Sequence, residues 1–540
     1  MQMHMQRHKI LVSDPLAEEG LAVLRREAAV DVRTGLAPDE LRCALPGYDA
    51  LIVRSETQVT ADLLAAGRAL RVVTRAGVGT DNIDVPAATE RGIMVLNTPG
   101  PNAIAAAEHT LGLLLALLRR IPRADASLKA GRWERKAFVG HELYHKTLGV
   151  LGLGRIGREV ATRARAFGME VLAYDPYVAP SVAESVGAHA LPLDDLLARA
   201  DVLTLHLPLQ AETQGMIGAR ELARLRPGAY VVNCARGGLV DEAALAAALA
   251  SGRLAGAALD VFEREPPTGS PLLGLDNVVA TPHLAALSVE AQLGVALAAA
   301  ESTLAALNGE LVENAVNLPS LAPGALAALR PWLDLAGQLG RLVAATLGGP
   351  AAGLEIGFLG EFGGGNPGLL AAAAVRGFLL SSIPEQVTLI NARLLAEGRG
   401  LAVSERFAHA ARHGAPPTLE VRATADDHDG DDHIHMAAGT LDDERAQIVS
   451  LDGLPVTLEL GGRLLLVSHR DQPGMIGAVG TLLGRRGINI AGMQVARRQV
   501  RGAAVMIVLL DDPLPRAILE EVRAIPGLSH AHYVDLSEQD

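Results

Sequence analysis

The sequence predicts an α/β fold built on a doubly wound parallel sheet, and three observations carry that reading. Apolar runs alternate with segments of helical spacing through the first half of the chain. A glycine-rich loop, Gly152-Leu153-Gly154-Arg155-Ile156-Gly157, follows directly on the apolar run Leu148-Gly149-Val150-Leu151 and directly precedes REVATRARAFG, which has helical spacing. Downstream of it, three short segments place an arginine, a carboxylate and an imidazole in one order: NCARGGLVDE around Arg236, ALDVFEREPP around Glu265 and ATPHLAA around His283.

In chain order, HKILVSD, YDALIVRS and ALRVVTRAG read as strands separated by the helices LAEEGLAVLRRE and TADLLAAG. After IMVLNTPGPN comes AIAAAEHTLGLLLALLRR, one long helix whose mostly apolar faces point to a buried dimer contact. A second α/β unit then begins at the glycine loop. Gly152 permits a tight turn, Gly154 lets backbone approach a pyrophosphate, and Gly157 lets helix and strand pack while the helix N-terminus faces the phosphates. Asp175, in EVLAYDPY, lies about 20 residues on, where an acidic side chain accepts from ribose hydroxyls and repels a 2′-phosphate. NAD is favoured over NADP, the alternative being a turn-forming aspartate before Pro176. Further strands are DVLTLHLP, AYVVNCA, GAALDV and NVVATP, and SVEAQLGVALAAAESTLAAL is a closing helix. Residues 1–100 and 286–320 make one domain, with the nucleotide unit, 101–285, inserted between them and a cleft between the two.

The Pro/Gly-rich NLPSLAPGA and the polar LDDERAQIVSLDG flank a middle domain, 321–455, without a catalytic signature. Its tract ADDHDGDDHIHM, Ala425 to Met436, alternates Asp and His; it reads as a solvated hairpin turn centred on Asp429-Gly430, with transition-metal binding as the alternative, and no metal is assigned. The tail, 462–540, reads strand, DxPG loop, helix, two strands, helix, strand: a βαββαβ unit.

At 540 residues the chain holds several domains, and 49% hydrophobic with 20% charged residues is ordinary globular composition. A net charge of -13 argues against generic nucleic-acid binding. Only Cys43 and Cys234 are present, far apart, which points to a reducing compartment. No apolar stretch reads as a secretory h-region or as a bilayer span, and cytoplasm is the expected location.

Hydride exchange with a 2-hydroxy acid needs a cation for the carboxylate, a general acid/base and a carboxylate to tune it, because a proton leaves oxygen as hydride leaves carbon. Arg236, His283 and Glu265 supply those types. A histidine titrates near ~6.5 unperturbed, and a nearby carboxylate favours its imidazolium. A guanidinium fork matches a carboxylate. Arg54 in VRSETQV and Arg75 in TRAGVG, at strand ends facing the cleft, are further candidates for the carboxylate or phosphate of a substrate.

RAGVGTDNID, GLGRIG, VNCARGGLVDE, ALDVFEREPP and TPHL in the catalytic half, VRGFL and VTLINARLLAE in the middle, and the βαββαβ tail carry a resemblance. Over essentially its whole length the chain resembles the D-isomer-specific 2-hydroxyacid dehydrogenases in their long, phosphoglycerate-oxidising form. The resemblance implies a Rossmann domain inserted in a flavodoxin-like substrate domain, then an α+β intervening domain and an ACT domain, a small module that binds amino acids. It implies NAD-dependent oxidation of D-3-phosphoglycerate at the start of serine biosynthesis, in a homodimer or homotetramer. The rivals are a reductase of glyoxylate, hydroxypyruvate or 2-oxoglutarate and, in another class, an NAD-sensing co-regulator. By the same resemblance His283 is the acid/base, Glu265 its partner and Arg236 the substrate clamp. Asp260 orients the nicotinamide carboxamide, while Val78, Arg155, Ile156, Leu207, Cys234 and Ala235 line the dinucleotide, Cys234 as wall rather than nucleophile. Asn102 contacts substrate, and Arg135 either reaches a phosphate across a dimer interface or is a solvated helix-end residue. His469, Asp471 and Asn489 match serine-binding positions, making L-serine the expected effector; an ACT domain serving oligomerisation alone, or another ligand, is the alternative. Two departures bear on substrate preference: Leu284-Ala285-Ala286-Leu287 replaces Leu-Gly-Ala-Ser/Thr after His283, and Gly100-Pro101-Asn102 replaces small-Ser-Asn.

Overall fold

The computed structural model describes residues 7–319, 326–347, 349, 351–360, 362, 366–380, 383, 386–408, 416–425, 434–442 and 445–537. The N-terminal lobe is a five-stranded parallel sheet in the spatial order Ala29–Val32, Lys9–Val12, Ala50–Val53, Val72–Arg75, Met94–Leu96. This is the flavodoxin-like order. The chain leaves the lobe and later returns: the helix Val289–Leu307 packs on the helix Glu18–Glu27 and on the strand Val72–Arg75. Gly20 permits that crossing, since a Cβ there would lie 2.7 Å from the Ala296 carbonyl oxygen.

The inserted unit is a seven-stranded parallel sheet. Its centre is Thr147–Leu151, flanked on one side by Glu170–Tyr174 and His189–Ala190 and on the other by Val202–Leu205, Ala229–Asn233, Leu254–Leu259 and Val278–Ala280. Strand order reverses beside Thr147–Leu151, which places the ligand crevice at that strand's C-terminal end, where the glycine loop begins. The expected helix is present as Ala103–Leu118, and a second, Ile121–Lys129, follows it after Arg120 at φ 55°, with Pro122 in its first turn. Most of the apolar surface of Ala103–Leu118 is covered by its own chain, against the helix Arg155–Ala166 and the sheet. Apart from Ile104 in its first turn, a run of exposed apolar side chains lies on the following arm, with Trp133 77% and Val139 72% exposed and Ile121, Leu128 and Tyr144 exposed as well.

The middle unit is a six-stranded sheet, largely antiparallel, in the order Ala402–Ala408, Ala351–Leu359, Thr418–Ala425, Ile434–Asp442, Arg445–Leu451, Leu454–Glu459. Its helices Leu326–Leu347 and Pro367–Leu379 cross at Gly340 and Gly377, where a Cβ would lie 2.1 and 2.0 Å from backbone oxygens of the other helix. The segment LDDERAQIVSLDG, expected to flank this domain, lies within it: Ile434–Asp442 and Arg445–Leu451 pair in the sheet, which runs to Glu459. The strands expected around the Asp/His tract pair antiparallel, but residues 426–433, Asp429-Gly430 among them, lie outside the described residues.

The tail forms a four-stranded antiparallel sheet, Ile490–Arg497, Ala503–Leu510, Arg463–Arg470, Leu528–Asp535, with the helices Met475–Arg485 and Arg516–Arg523 between strands as predicted. No helix among the described residues is long and apolar enough to cross a membrane.

Candidate active site

The glycine loop is built from three glycines with three different reasons. Gly152 sits at φ +92°, and a Cβ there would lie 2.5 Å from the His206 carbonyl oxygen and 2.9 Å from Leu207. A Cβ on Gly157 would lie 2.0 Å from the Gly152 oxygen, so helix and strand touch there. Gly154 has nothing within 4 Å and is the residue before the helix Arg155–Ala166. That open space above a helix N-terminus fits a pyrophosphate. Asp175, at the tip of the neighbouring strand, accepts from Leu153 N at 2.9 Å and from Tyr177 N at 3.0 Å. It is thus both the turn-former and the carboxylate that fixes the loop. Arg155 is exposed, with Nη1 3.9 Å from the Cβ position of Gly100 across the cleft; Ile156 and Leu207 pack half-buried behind the loop.

Across the cleft stands a cluster of guanidiniums. Arg75 is lowered to about 10 by burial first and then by the charges of Arg236 and Arg54, with Asp81 and Asp14 opposing. Arg54 is lowered by burial. Its backbone N–H donates to Asp14 at 2.5 Å and its Nη1 to Gln292 Oε1 at 2.6 Å, while Asn82 accepts from Arg75 Nε at 3.1 Å. Arg236 donates from Nε to Asp81 at 3.0 Å and from Nη1 to the Ala235 carbonyl at 2.7 Å. Nη2 passes over Gly79, where a Cβ would lie 1.9 Å away. Val78, in the same loop, is tied by its carbonyl to Asn97 at 2.8 Å. Asn102 is buried, and its Oδ1 has no partner, an orphaned acceptor of the kind a ligand satisfies.

Gly237 joins the arginine loop to the segment bearing Glu265: a Cβ there would lie 1.8 Å from the Phe262 carbonyl oxygen. Glu265 Oε1 accepts from Phe262 N at 3.2 Å, and its Oε2 accepts from His283 Nδ1 at 2.8 Å. Burial would raise the Glu265 carboxyl, but His283 and the Phe262 N–H more than offset it and hold it below the usual carboxylate range. Because a carboxylate only accepts, Nδ1 carries the proton and Nε2 is left with its lone pair. His283 sits at φ 54°, a left-handed conformation uncommon outside glycine.

What holds it there is Asp260. This residue is 0% exposed, its carbonyl accepts from His283 N at 2.9 Å, and its carboxylate accepts from Leu284 N and Ala285 N at 2.8 Å each, from Thr281 Oγ1 at 2.5 Å and from His109 Nε2 at 3.2 Å. Burial would raise its carboxyl; the bonds from His109, Thr281, Leu284 and Ala285 outweigh that and lower it. Asp260 is expected to orient the nicotinamide carboxamide; within the chain its oxygens also clamp the loop after His283, three bonds falling on Oδ1 and one on Oδ2. Cys234 is buried and its thiol is pushed up to about 12 by desolvation, so it is neutral wall. Arg135 is exposed on the arm.

In the tail, His469 is buried with Nδ1 2.9 Å from the Arg470 carbonyl and Nε2 unpartnered. The Asp471 carboxylate is lowered by the Arg501 N–H first and by Arg497 second, and both bind the same oxygen. Asn489 is far from both. It lies beside the Arg463 end of the sheet, bonded to Asp511 at 2.5 Å and Asp512 at 3.0 Å, while His469 lies at the Ala504 end. Sequence spacing carried no signal for His109, Gln292, Asp81 and Asp14, whose partners come from distant segments.

A dinucleotide crevice facing an arginine-lined lobe, with a histidine–carboxylate pair at their junction, defines a dehydrogenase of 2-hydroxy acids that works with a nicotinamide cofactor. Residues 111–285 match the family model described as D-isomer specific 2-hydroxyacid dehydrogenase, NAD binding domain; residues 328–451 match the D-3-phosphoglycerate dehydrogenase intervening domain, and 463–527 the ACT domain. The chain is 44% identical to a D-3-phosphoglycerate dehydrogenase of Synechocystis, over 98% of this chain and 95% of that one. It is 42% identical to one of Methanocaldococcus jannaschii, over 98% and 100%. A solved glyoxylate reductase from Paecilomyes thermophila aligns with TM-score 0.54 at 34% identity, covering 58% of this chain and 99% of its own. A D-lactate dehydrogenase of Aquifex aeolicus complexed with NAD and lactic acid aligns at 0.53 and 28%, over 58% and 100%. The chain belongs to the D-3-phosphoglycerate dehydrogenase family.

Proposed function

We propose that the protein oxidises D-3-phosphoglycerate to 3-phosphohydroxypyruvate with NAD, the first step of the phosphorylated route to L-serine. The observation that carries this reading is that the buried Arg75 has both Arg54 and Arg236 close enough for their charges to act on it. A lone carboxylate needs one guanidinium; three held together at a cost in desolvation and repulsion fit a substrate that bears a carboxylate and a phosphate. Arg236 takes the carboxylate on its unengaged Nη2, and Arg54 and Arg75 take the phosphate. The C2 hydroxyl proton passes to His283 Nε2, and the imidazolium so formed is stabilised by Glu265, which is ionised beside it. Bound at the glycine loop, NAD supplies the acceptor for the hydride leaving C2. Asp175 would meet a 2′-phosphate with like charge, which favours NAD over NADP.

The test is NADH formation on D-3-phosphoglycerate, D-glycerate, D-lactate and 2-hydroxyglutarate. Loss of charge-assisted bonds of about 1.5–3 kcal/mol each predicts a kcat/KM at least about 100-fold higher for the phosphorylated acid than for D-glycerate. Equal turnover of D-glycerate overturns the reading.

We also infer a homo-oligomer regulated by L-serine, in the cytoplasm. The apolar arm carrying Trp133 and Val139 supports the first, and the free Cys43 and Cys234 accord with the last. The unpartnered His469 Nε2 beside the DxPG loop supports an amino-acid site in the tail.

A further inference from the structure

The buried carboxylate of Asp260 touches one other ionisable side chain among the described residues, the imidazole of His109. His109 comes from the helix Ala103–Leu118, the same helix that Asn102 precedes and that packs against the helix behind the glycine loop. Its Nε2 lies 3.2 Å from Asp260 Oδ1 and 3.2 Å from Thr281 Oγ1. Thr281 Oγ1 itself donates to Asp260. A lone pair on Nε2 would therefore face a carboxylate, so Nε2 carries a hydrogen and donates. Asp260 in turn receives Leu284 N and Ala285 N and, through its carbonyl, His283 N.

We propose that His109 is a positioning residue for the reaction: it donates to Asp260 and so locks the loop Thr281–Ala285 with His283 in its left-handed conformation, Nδ1 on Glu265 and Nε2 toward the substrate. Two features require a donor at this point. A carboxylate with no exposure needs all its lone pairs satisfied, and one unmet bond leaves a buried charge under-compensated. A catalytic side chain is held to its productive geometry by the groups behind it, and a small misplacement of the reacting atom lowers the rate severalfold to a hundredfold. His109 does not touch the substrate in this arrangement, so its loss falls on the chemical step rather than on substrate binding.

The inference rests on His283 being the acid/base, and the experiment separates the two. Wild type, His109→Leu, His109→Gln and His109→Asn are assayed with D-3-phosphoglycerate and NAD across pH. A glutamine amide nitrogen reaches the place of Nε2, whereas that of asparagine falls one atom short. His109→Leu and His109→Asn are expected to lower kcat about 10-fold or more, leave KM for both substrates within about threefold, and move the acidic limb of the kcat profile to lower pH as contact with Glu265 loosens. His109→Gln is expected to restore both. If His109→Leu does not fold, the Gln and Asn variants alone decide the matter. Equal activity and pH profile in Gln and Asn variants, or an unimpaired Leu variant, overturns the proposal. An inactive wild type, or a His283→Asn variant as active as wild type, instead overturns the reading it rests on.

Discussion

Glu265 illustrates how much a single residue decides at the site. Its carboxyl is held below its ordinary value, so its attraction for His283 is complete above the ordinary carboxylate range and is lost only as pH falls through the lowered value. Across neutral pH the pair is intact in the reacting enzyme. Glu265→Gln keeps the shape and removes the charge; kcat is expected to fall about 10- to 100-fold, and the acidic limb of its pH profile to move downward, with KM for D-3-phosphoglycerate little changed. An unchanged profile would show that the carboxylate does not act on His283. Cys234 supplies a second residue-scale expectation. With its thiol pushed up to about 12 and buried, iodoacetamide at pH 8 should label the exposed Cys43 alone, without loss of activity, as read by peptide mass spectrometry. Arg236, Glu265 and His283 were legible in the sequence because each sits in a short segment whose residue types name its chemistry. Asp260 was legible as a site residue, whereas its hold on the loop after His283 shows only in the fold. Gln292 was illegible: its bonds to Arg54 and to the Ala286 carbonyl bridge 238 residues in one case and tie the altered loop in the other.

The glycine loop shows the same division at the scale of an element. Spacing alone places three glycines; the structure separates what each does. A methyl on Gly157 meets the Gly152 oxygen at 2.0 Å, a backbone atom that cannot give way, while a methyl on Gly154 meets no protein atom. Gly157→Ala is therefore expected to lower the melting temperature by several degrees and to abolish NAD binding together with folding of the loop. Gly154→Ala should leave the apo melting temperature within about 1 °C, because φ −64° suits alanine, yet raise KM for NAD by about 10-fold or more. Equal thermal effects in the two variants would mean that the space over Gly154 is not where the cofactor lies. The elements that periodicity missed have equally local causes. The helix Ile121–Lys129, which begins just past the expected one with Pro122 in its first turn, mixes polar and apolar residues, and the strand Arg445–Leu451 follows a charged run that masks its alternation.

At the scale of the whole molecule the four units are not beads on a string. The tail sheet lends Leu464, Leu466, Ala496, Val505, Ile507, Val534 and Leu536 to the same core as the middle domain, and Thr457 N donates to Gln494 at 3.0 Å between them. The middle domain in turn sets Thr388 and Asn391 against Gly92 of the lobe that carries Arg54 and Arg75. If an amino acid binds the tail, these packed contacts join it to the lobe that carries Arg54 and Arg75, and a two-state shift in them would couple the two. The residues proposed to bind serine are set apart in the fold. Asn489 and His469 lie at opposite ends of a sheet whose strands run for 8 residues, a separation of about 20 Å, which no single amino acid spans. If both serve one serine, they come from different chains. In a dimer with two-fold symmetry each site then takes His469 from one copy and Asn489 from the other. His469→Ala and Asn489→Ala should each abolish inhibition by serine while leaving uninhibited turnover intact. A hybrid of the two variants places both defects in one site and leaves the other with both native residues, so serine sensitivity should reappear at about half the sites. The measurement is inhibition of NADH formation after the differently tagged variants are co-expressed and purified through both tags. A hybrid as insensitive as its parents would place His469 and Asn489 in separate sites, or leave one of them outside serine binding altogether.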